Sequence, residues 1–434
     1  MNQLTRDQKI GILAVQETHL TKEHTSRLNH LFCRNMTILN SSLPEGSTNS
    51  AGIAFVLNKR VLAWTNLDLI EIIPGRAALL KIERQDLDPL HILNIYAPNA
   101  PAENENFWIA LNHEWSNNNT LPHVNIMLGD LNLVESEIDR RPPHADSKNA
   151  VAALDDFKSK FLLADGWRRT YPNKTLYTFG VGTAGSQSRI DRIYLNPTLL
   201  NHSYGWKIQN PAINTDHQLA TTTILDPGMP YIGKGRWVMP PSLLCDKQVI
   251  DFIQHRGKRL LSDMDQADEG RLRTPTSNPQ LLWREFKLDL VSFVRSRTKK
   301  LFPILDQKIN SLNKALEDLY NDPTTTNDDE KSLQAHIITE RIKKLTSKRH
   351  SKIRDNVAVK HHLTGETISR TWIQANKEKR PRDTIKALQT PNSSPPALTR
   401  DSHKMADIAR SHHETLQSQD INTDEHDRNT DISR

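Results

Sequence analysis

Cysteine is almost absent from this chain of 434 residues. Cys33 and Cys245 are the only two, far apart and in no CxxC or Cys/His spacing. That excludes a disulfide framework and a structural zinc site, and it suits a reducing compartment. Long apolar runs are missing too. None reaches the roughly 18 residues that a membrane span needs, so no membrane partner is expected. The opening MNQLTRDQKIGILAVQETH has too short an apolar patch for a signal peptide. A soluble, intracellular protein is expected. No internal repeat is present. The excess of positive charge is small, +6 overall, but it is unevenly spread. Residues 1–230 carry 21 basic and 23 acidic residues, and residues 231–434 carry 36 and 28. A basic carboxy-terminal half is expected of something that lies near a polyanion, although a well-solvated helical face reads the same way.

The length predicts two or three units. The first part consists of short apolar segments of strand length between polar turns: 11–17, 51–58, 76–83, 90–98, 124–132, 188–196 and 219–225. In LHILNIY (90–96) both alternating faces carry apolar residues, so this strand is expected to be covered on both sides. Helical segments are expected at Ala102–Trp115 and Asn149–Leu163. The fold class read from this pattern is α+β, a two-layer β-sandwich with helices packed outside it. Residues 226–245 read as a Pro/Gly-rich linker and 246–388 as a basic helical region. There Asn278 and Pro279 start one helix, and Leu333, Ile337, Ile342 and Leu345 form an apolar stripe on another. Residues 389–434 are rich in Ser, Thr, Asn, Asp and Pro and are expected to be disordered or part of something cut short.

Four motifs place polar residues at the ends of apolar strands, where a rigid scaffold meets solvent. Glu17 in AVQETH suits a hard-metal ligand or a solvated strand end. Asp130 and Asn132 in IMLGDLN, two apart on an extended segment, are expected to point together at one spot. A carboxylate base beside an amide suits attack on a phosphate, and an Asp/Asn turn is the alternative. Asp191 in SRIDRIYLN interrupts an apolar strand between Arg189 and Arg192, as a site residue or as a local ion-pair partner. Asp216 and His217 in NTDHQLA suit an oriented imidazole beside a phosphate, or a turn that caps the next strand.

Taken together and in this order, QETH, GDLN, SRIDRIY and TDH resemble the successive motifs of the endonuclease/exonuclease/phosphatase family, which contains deoxyribonuclease I and the apurinic endonucleases. IYAPN (95–99) and YTF (177–179) match two more of its segments. The resemblance covers about residues 8–225 and implies a four-layer α/β/β/α domain over residues 1–225. It implies a phosphodiesterase that uses magnesium, or manganese in its place. Glu17 would bind the metal, with Asp216 as a second acidic group close to it. Asp130 would activate the attacking water, and Asn132 would help to hold water and phosphate. His217 would stabilise charge in the transition state, and Asp191 would orient it. Tyr96 and Asn99 would hold phosphate oxygens, and Thr178 would lie on the substrate side.

The order of the second half, with GKGRWVMPPSLL (233–244), long basic helices and anchors at Trp237, Leu243 and Trp372, resembles the connector of LINE-type non-LTR retrotransposon polyproteins. The resemblance implies an endonuclease that nicks DNA to leave a 3′-hydroxyl, with DNA as partner, element RNA as a further one, and a nuclear location. The family's first strand, which carries an asparagine, is not found in the 16 residues before Glu17, and Asn2 lies in the wrong kind of segment to replace it. No reverse transcriptase motif follows. The expectation is a copy truncated at both ends. Two other readings stand beside it: an apurinic-site or other phosphoesterase of the same family, and a non-catalytic nucleic-acid-binding protein that works through its basic helices.

Overall fold

The computed structural model describes residues 2–43, 51–84, 87–180, 186–211, 213, 215–225, 237, 239, 243–244, 246–269, 278–301, 303–321, 329–364, 373, 377–381, 385–391, 395 and 397–418. The chain forms two compact units, Met1–Ile232 with Thr364–Arg434, and Gly233–Leu363. Among the described residues no helix is long and apolar enough to cross a membrane.

The first unit opens with α1 (Asn2–Asp7), β1 (Ile12–Gln16), α2 (Lys22–Phe32), β2 (Met36–Ser41) and β3 (Ile53–Asn58). β1, β3 and β2 make an antiparallel sheet in that order. α2 starts where the Thr21 side chain accepts the His24 N–H, which satisfies one of the free amides of the first turn.

There follow β4 (Asn66–Ile73), β5 (Ala77–Arg84), β6 (Leu87–Tyr96), α3 (Pro101–Asn117), β7 (Ile126–Asp130), β8 (Arg140–Arg141) and α4 (Lys148–Lys160). After these come β9 (Ala164–Asp165), α5 (Gly166–Thr170), β10 (Gln187–Ser188) and β11 (Asp191–Leu195). A six-stranded sheet has the order β4-β5-β6-β7-β11-β9. Only β6 and β7 run parallel in it, which requires a crossover. α3 supplies it, with Pro101 in its first turn. α6 (Pro197–Asn201) then leads to the hairpin of β12 (Ser203–Gln209) and β13 (Leu219–Ile224).

The layers follow from which faces are apolar. Leu79, Leu93, Ile95 and Met127 turn to α3 and α4, where they meet Trp108, Leu111, Leu154 and Phe157. The other face of the same sheet offers Leu80, Ile82, Ile92 and Ile126 to Phe55 and Leu57 of β3 and Trp206 of β12. Beyond β3, Leu13, Ile38, Ala54 and Val56 are covered by Leu4, Leu28 and Phe32 of α1 and α2. Each fully buried aliphatic or aromatic side chain contributes about 1.5–3 kcal/mol. The result is helix, sheet, sheet, helix, with β6 apolar on both faces as its sequence requires.

In the second unit, α7 (Lys247–Glu269), α8 (Pro279–Leu301), α9 (Pro303–Asn321) and α10 (Asp329–Thr364) follow one another. Asn278 caps α8 by accepting the Leu281 N–H. Phe252 of α7 stacks on Phe293 of α8 with ring centroids 4.2 Å apart, and Leu243, Val249 and Val294 are buried beside them with Trp237 against the cluster. On α10 the expected stripe is displaced. Leu333 and Ile337 face solvent, and Ala335, Thr339, Ile342 and Thr346 are buried. Spacings of four, three and four keep these on one face, and its smaller side chains let the packing be close. Most of 226–245, and Trp372, lie outside the described residues.

The expectation of disorder from residue 389 is corrected for the described residues of 389–391, 395 and 397–418. β14 (Leu388–Gln389) pairs with β15 (Leu398–Thr399), and α11 covers Ser402–Ser418. The polar composition concealed a helix start. Asp401 accepts the amides of His403 and Lys404, and Met405 one turn on is buried. Residues 419–434 lie outside the described residues.

Candidate active site

Three strands of the large sheet end side by side. Tyr96 of β6 is in register with Asp130 of β7, and Asp130 with Asp191 of β11. The row depends on Gly129. It has φ 138°, and a Cβ there would stand 2.0 Å from the Ile95 carbonyl oxygen. Only glycine permits so close an approach of β6 and β7.

Asp130 is buried, and its Oδ1 accepts the Asn132 N–H at 3.0 Å. The backbone is not extended here: Asn132 has φ 48°, and its Nδ2 donates to the Ala97 carbonyl at 2.8 Å. The Asp/Asn turn is therefore present, and the expectation that Asp130 and Asn132 face one spot as an extended pair is corrected. The Asp130 carboxylate draws the chain into a turn that a strand would forbid. Asn132 holds the segment after β6 in place with that contact.

Glu17 follows β1 with φ 52° and is exposed. Tyr96 Oη donates a short hydrogen bond to its Oε1, which joins the two sheets. His217 precedes β13, and its Nδ1 lies 2.9 Å from Asp191 Oδ2. The Phe179 ring stands beside its imidazole at 5.0 Å between centroids. Asp130, Asp191 and His217 offer ligand-type atoms that all lie within 4.8 Å of one another. Glu17 and Asp216 are outside that group, but both line the same cleft of about 650 Å³. Leu13, Val15, Met36, Ile38 and Val56 give it an apolar wall. Asn99 is exposed and not among the lining residues. Thr178 is fully buried, with its hydroxyl taken up by backbone groups, so the substrate-side position expected for it is corrected.

The electrostatics follow from this crowding. Burial raises the Asp130 carboxyl and the charge of Asp191 adds to it, against the pull of His217 and the Asn132 amide, so that it stands at about 7. Burial disfavours the His217 cation, but the hydrogen bond to Asp191 and the charges of Asp191, Asp130 and Asp216 outweigh it and raise the imidazole to about 9. Paired carboxylates at oxygen-ligand spacing suit a hard divalent cation. Burial does most to raise Asp130, and such an ion would relieve the added repulsion from Asp191.

Behind the row lies a buried ion cluster. Arg189 Nε donates to Asp139 Oδ1 at 2.7 Å and its Nη2 to Oδ2 at 2.8 Å. Arg192 Nη2 reaches Oδ2 at 3.2 Å, and Arg168 makes a further short contact with Oδ1. Arg189 also pairs with Asp165 at 2.7 Å. The two arginines that flank Asp191 in sequence thus pair with other carboxylates and leave Asp191 to His217. Neither Asp139 nor Phe179 was singled out by its motif. Two arginines in an apolar strand were the available signal, since buried cations need partners.

The segment 3–220 matches the model of a family described as Endonuclease/Exonuclease/phosphatase. The chain belongs to the endonuclease/exonuclease/phosphatase family. Within it, the chain is 27% identical over 202 residues to the "Transposon TX1 uncharacterized 149 kDa protein" of Xenopus laevis, across 45% of this chain and 15% of that protein. The chain therefore matches only a small part of this relative's length. Among solved structures it is similar to the AP endonuclease LMAP from Leishmania major (15% identity, 50% of this chain and 79% of that one, TM-score 0.42). It is also similar to the endonuclease domain of TRAS1, a telomere-specific non-LTR retrotransposon (16% identity, 51% and 89%, TM-score 0.36).

Proposed function

We propose that this endonuclease/exonuclease/phosphatase domain is a retrotransposon-type endonuclease that hydrolyses a DNA phosphodiester and leaves a 3′-hydroxyl nick. The observation that carries the reading is the convergence of Asp130, Asp191 and His217 at the mouth of one cleft. The likeness to a transposon protein supports DNA as the substrate.

In this reading Asp130 orients and deprotonates the attacking water. His217, held by Asp191, places positive charge against the phosphoryl oxygens as negative charge builds there. Tyr96 and Asn99 are assigned to phosphate oxygens, and Asn132 keeps the Asp130 turn closed. The family's enzymes are typically dependent on a divalent metal, and Glu17, with Asp216 as a second acidic group lining the same cleft, would hold a magnesium ion. Such an ion supplies Lewis-acid stabilisation of phosphoryl oxygens.

The test is conversion of supercoiled plasmid to open circles with magnesium, with and without chelator, for the wild-type chain, Asp130→Ala and His217→Ala. Nicking that stops with chelator and with either substitution supports the reading. Nicking that survives both substitutions, or a soluble folded chain that does not nick at all, overturns it.

A further inference from the structure

Asp191 opens β11, whereas His217 lies outside the strands, just before β13, so no shared ladder sets the distance between them. One residue bonds the backbone of Asp191 and that of Gln218, the neighbour of His217. Thr178 Oγ1 accepts the N–H of Ile190 and the N–H of Asp191, each at 3.0 Å. Its carbonyl accepts the N–H of Gln218, next to His217, at 2.6 Å. The following residue, Phe179, bridges Ser188 on one side and His217 on the other.

The hydroxyl has no capacity left for a ligand. A threonine oxygen offers two lone pairs and one proton. Both acceptor sites serve the amides of Ile190 and Asp191, and the proton points to the Ser188 carbonyl at 3.4 Å. The residue is also completely inaccessible to solvent. A phosphate contact is therefore closed to it on two grounds, occupancy and access.

We infer that Thr178 is a positioning residue: its hydroxyl and its carbonyl together set the spacing of the Asp191–His217 pair. The inference rests on the reading that this pair acts on a phosphodiester. A valine has nearly the shape of threonine and keeps the packing, but it leaves two buried amides without an acceptor. They regain partners only if the 188–191 segment shifts, and that moves the Asp191 carboxylate away from the imidazole. Serine restores the hydroxyl and with it the spacing.

The experiment compares the wild-type chain, Thr178→Val and Thr178→Ser in plasmid nicking. In parallel, NMR of ¹⁵N-histidine-labelled full-length chain follows exchange of the His217 Nδ1 proton with water, assigned by its loss in His217→Ala. Misplacement by about 1 Å can cost about a hundredfold in rate. The expected result is a fall in kcat of that order for Thr178→Val with KM changed less than about twofold, and recovery in Thr178→Ser. The Nδ1 proton exchanges faster in the valine variant alone. Wild-type kcat in Thr178→Val, or a loss carried by KM, overturns the inference. If the wild-type chain does not nick, the proposed function fails by itself and the NMR decides. Faster exchange in the valine variant alone then supports the positioning role, and equal exchange in all three proteins overturns it.

Discussion

The imidazole of His217 meets the carboxylate of Asp191 at 2.9 Å although Asp191 opens β11 of the six-stranded sheet and His217 lies in the segment just before β13. In the proposed function the pair works as a unit, because the acid orients the ring and favours its charged form. Asp191→Asn should therefore lower plasmid nicking by about 10²–10⁴-fold, as should His217→Ala, and the double variant should be little worse than either. A strictly multiplicative loss in the double variant would contradict the unit.

Magnesium should stabilise the folded first unit, since a ligand that binds only the native state adds free energy by mass action. At a hundred times its dissociation constant the gain is about 2.7 kcal/mol. Thermal melts with and without magnesium should show a rise in Tm that Glu17→Gln reduces. An equal rise in both proteins would remove Glu17 from the metal site.

The Asp139 cluster predicts a defined acid transition. Burial would raise this carboxyl, but the hydrogen bonds and charges of Arg189, Arg192 and Arg168 outweigh it and lower it from 3.8 to about 2. A lowered folded-state value means stability that is complete above about pH 4 and is lost as the pH falls towards 2. The loss amounts to about 2 kcal/mol. Urea midpoints between pH 5 and pH 2 should show that step, and Asp139→Asn should lack it. At neutral pH, Asp139→Ala should cost about 3–5 kcal/mol, because it leaves buried guanidinium groups unpaired.

Gly129→Ala should destabilise the first unit by at least about 2 kcal/mol, through both the left-handed backbone and the clash with the Ile95 carbonyl. Its urea midpoint should fall well below that of the wild-type chain. An unchanged midpoint would mean that β6 and β7 separate without cost.

The strands and the acidic ends of the first unit were legible because apolar runs stop abruptly at Glu17 and Asp130 and a charged residue breaks into one at Asp191. The layered fold followed from β6, apolar on both faces. What was not legible depends on contacts between distant segments. Asn132 could be read as extended or turned, and its choice rests on the Ala97 carbonyl, 35 residues away. Thr178 sits in a segment whose pattern says nothing about burial, and it is enclosed only once 188–191 and 217–218 fold around it. Asp139 carries no motif at all. Its importance comes from Arg189 and Arg192, which alone in the sequence signalled that a buried partner had to exist. The helix at Ser402–Ser418 was hidden by polar composition, which hydrophobic patterning reads poorly.

The register of β11 on β7 has one more consequence. Asp191 lies opposite Asp130, and side chains in a strand alternate between faces, so a slip by a single residue would turn β11 inside out. It would bring a buried arginine or an isoleucine to the place of the acid. A change of register that separates these two carboxylates must therefore first break the β7–β11 ladder. The amides of Asp191–Leu195 should accordingly exchange only through global opening of the domain.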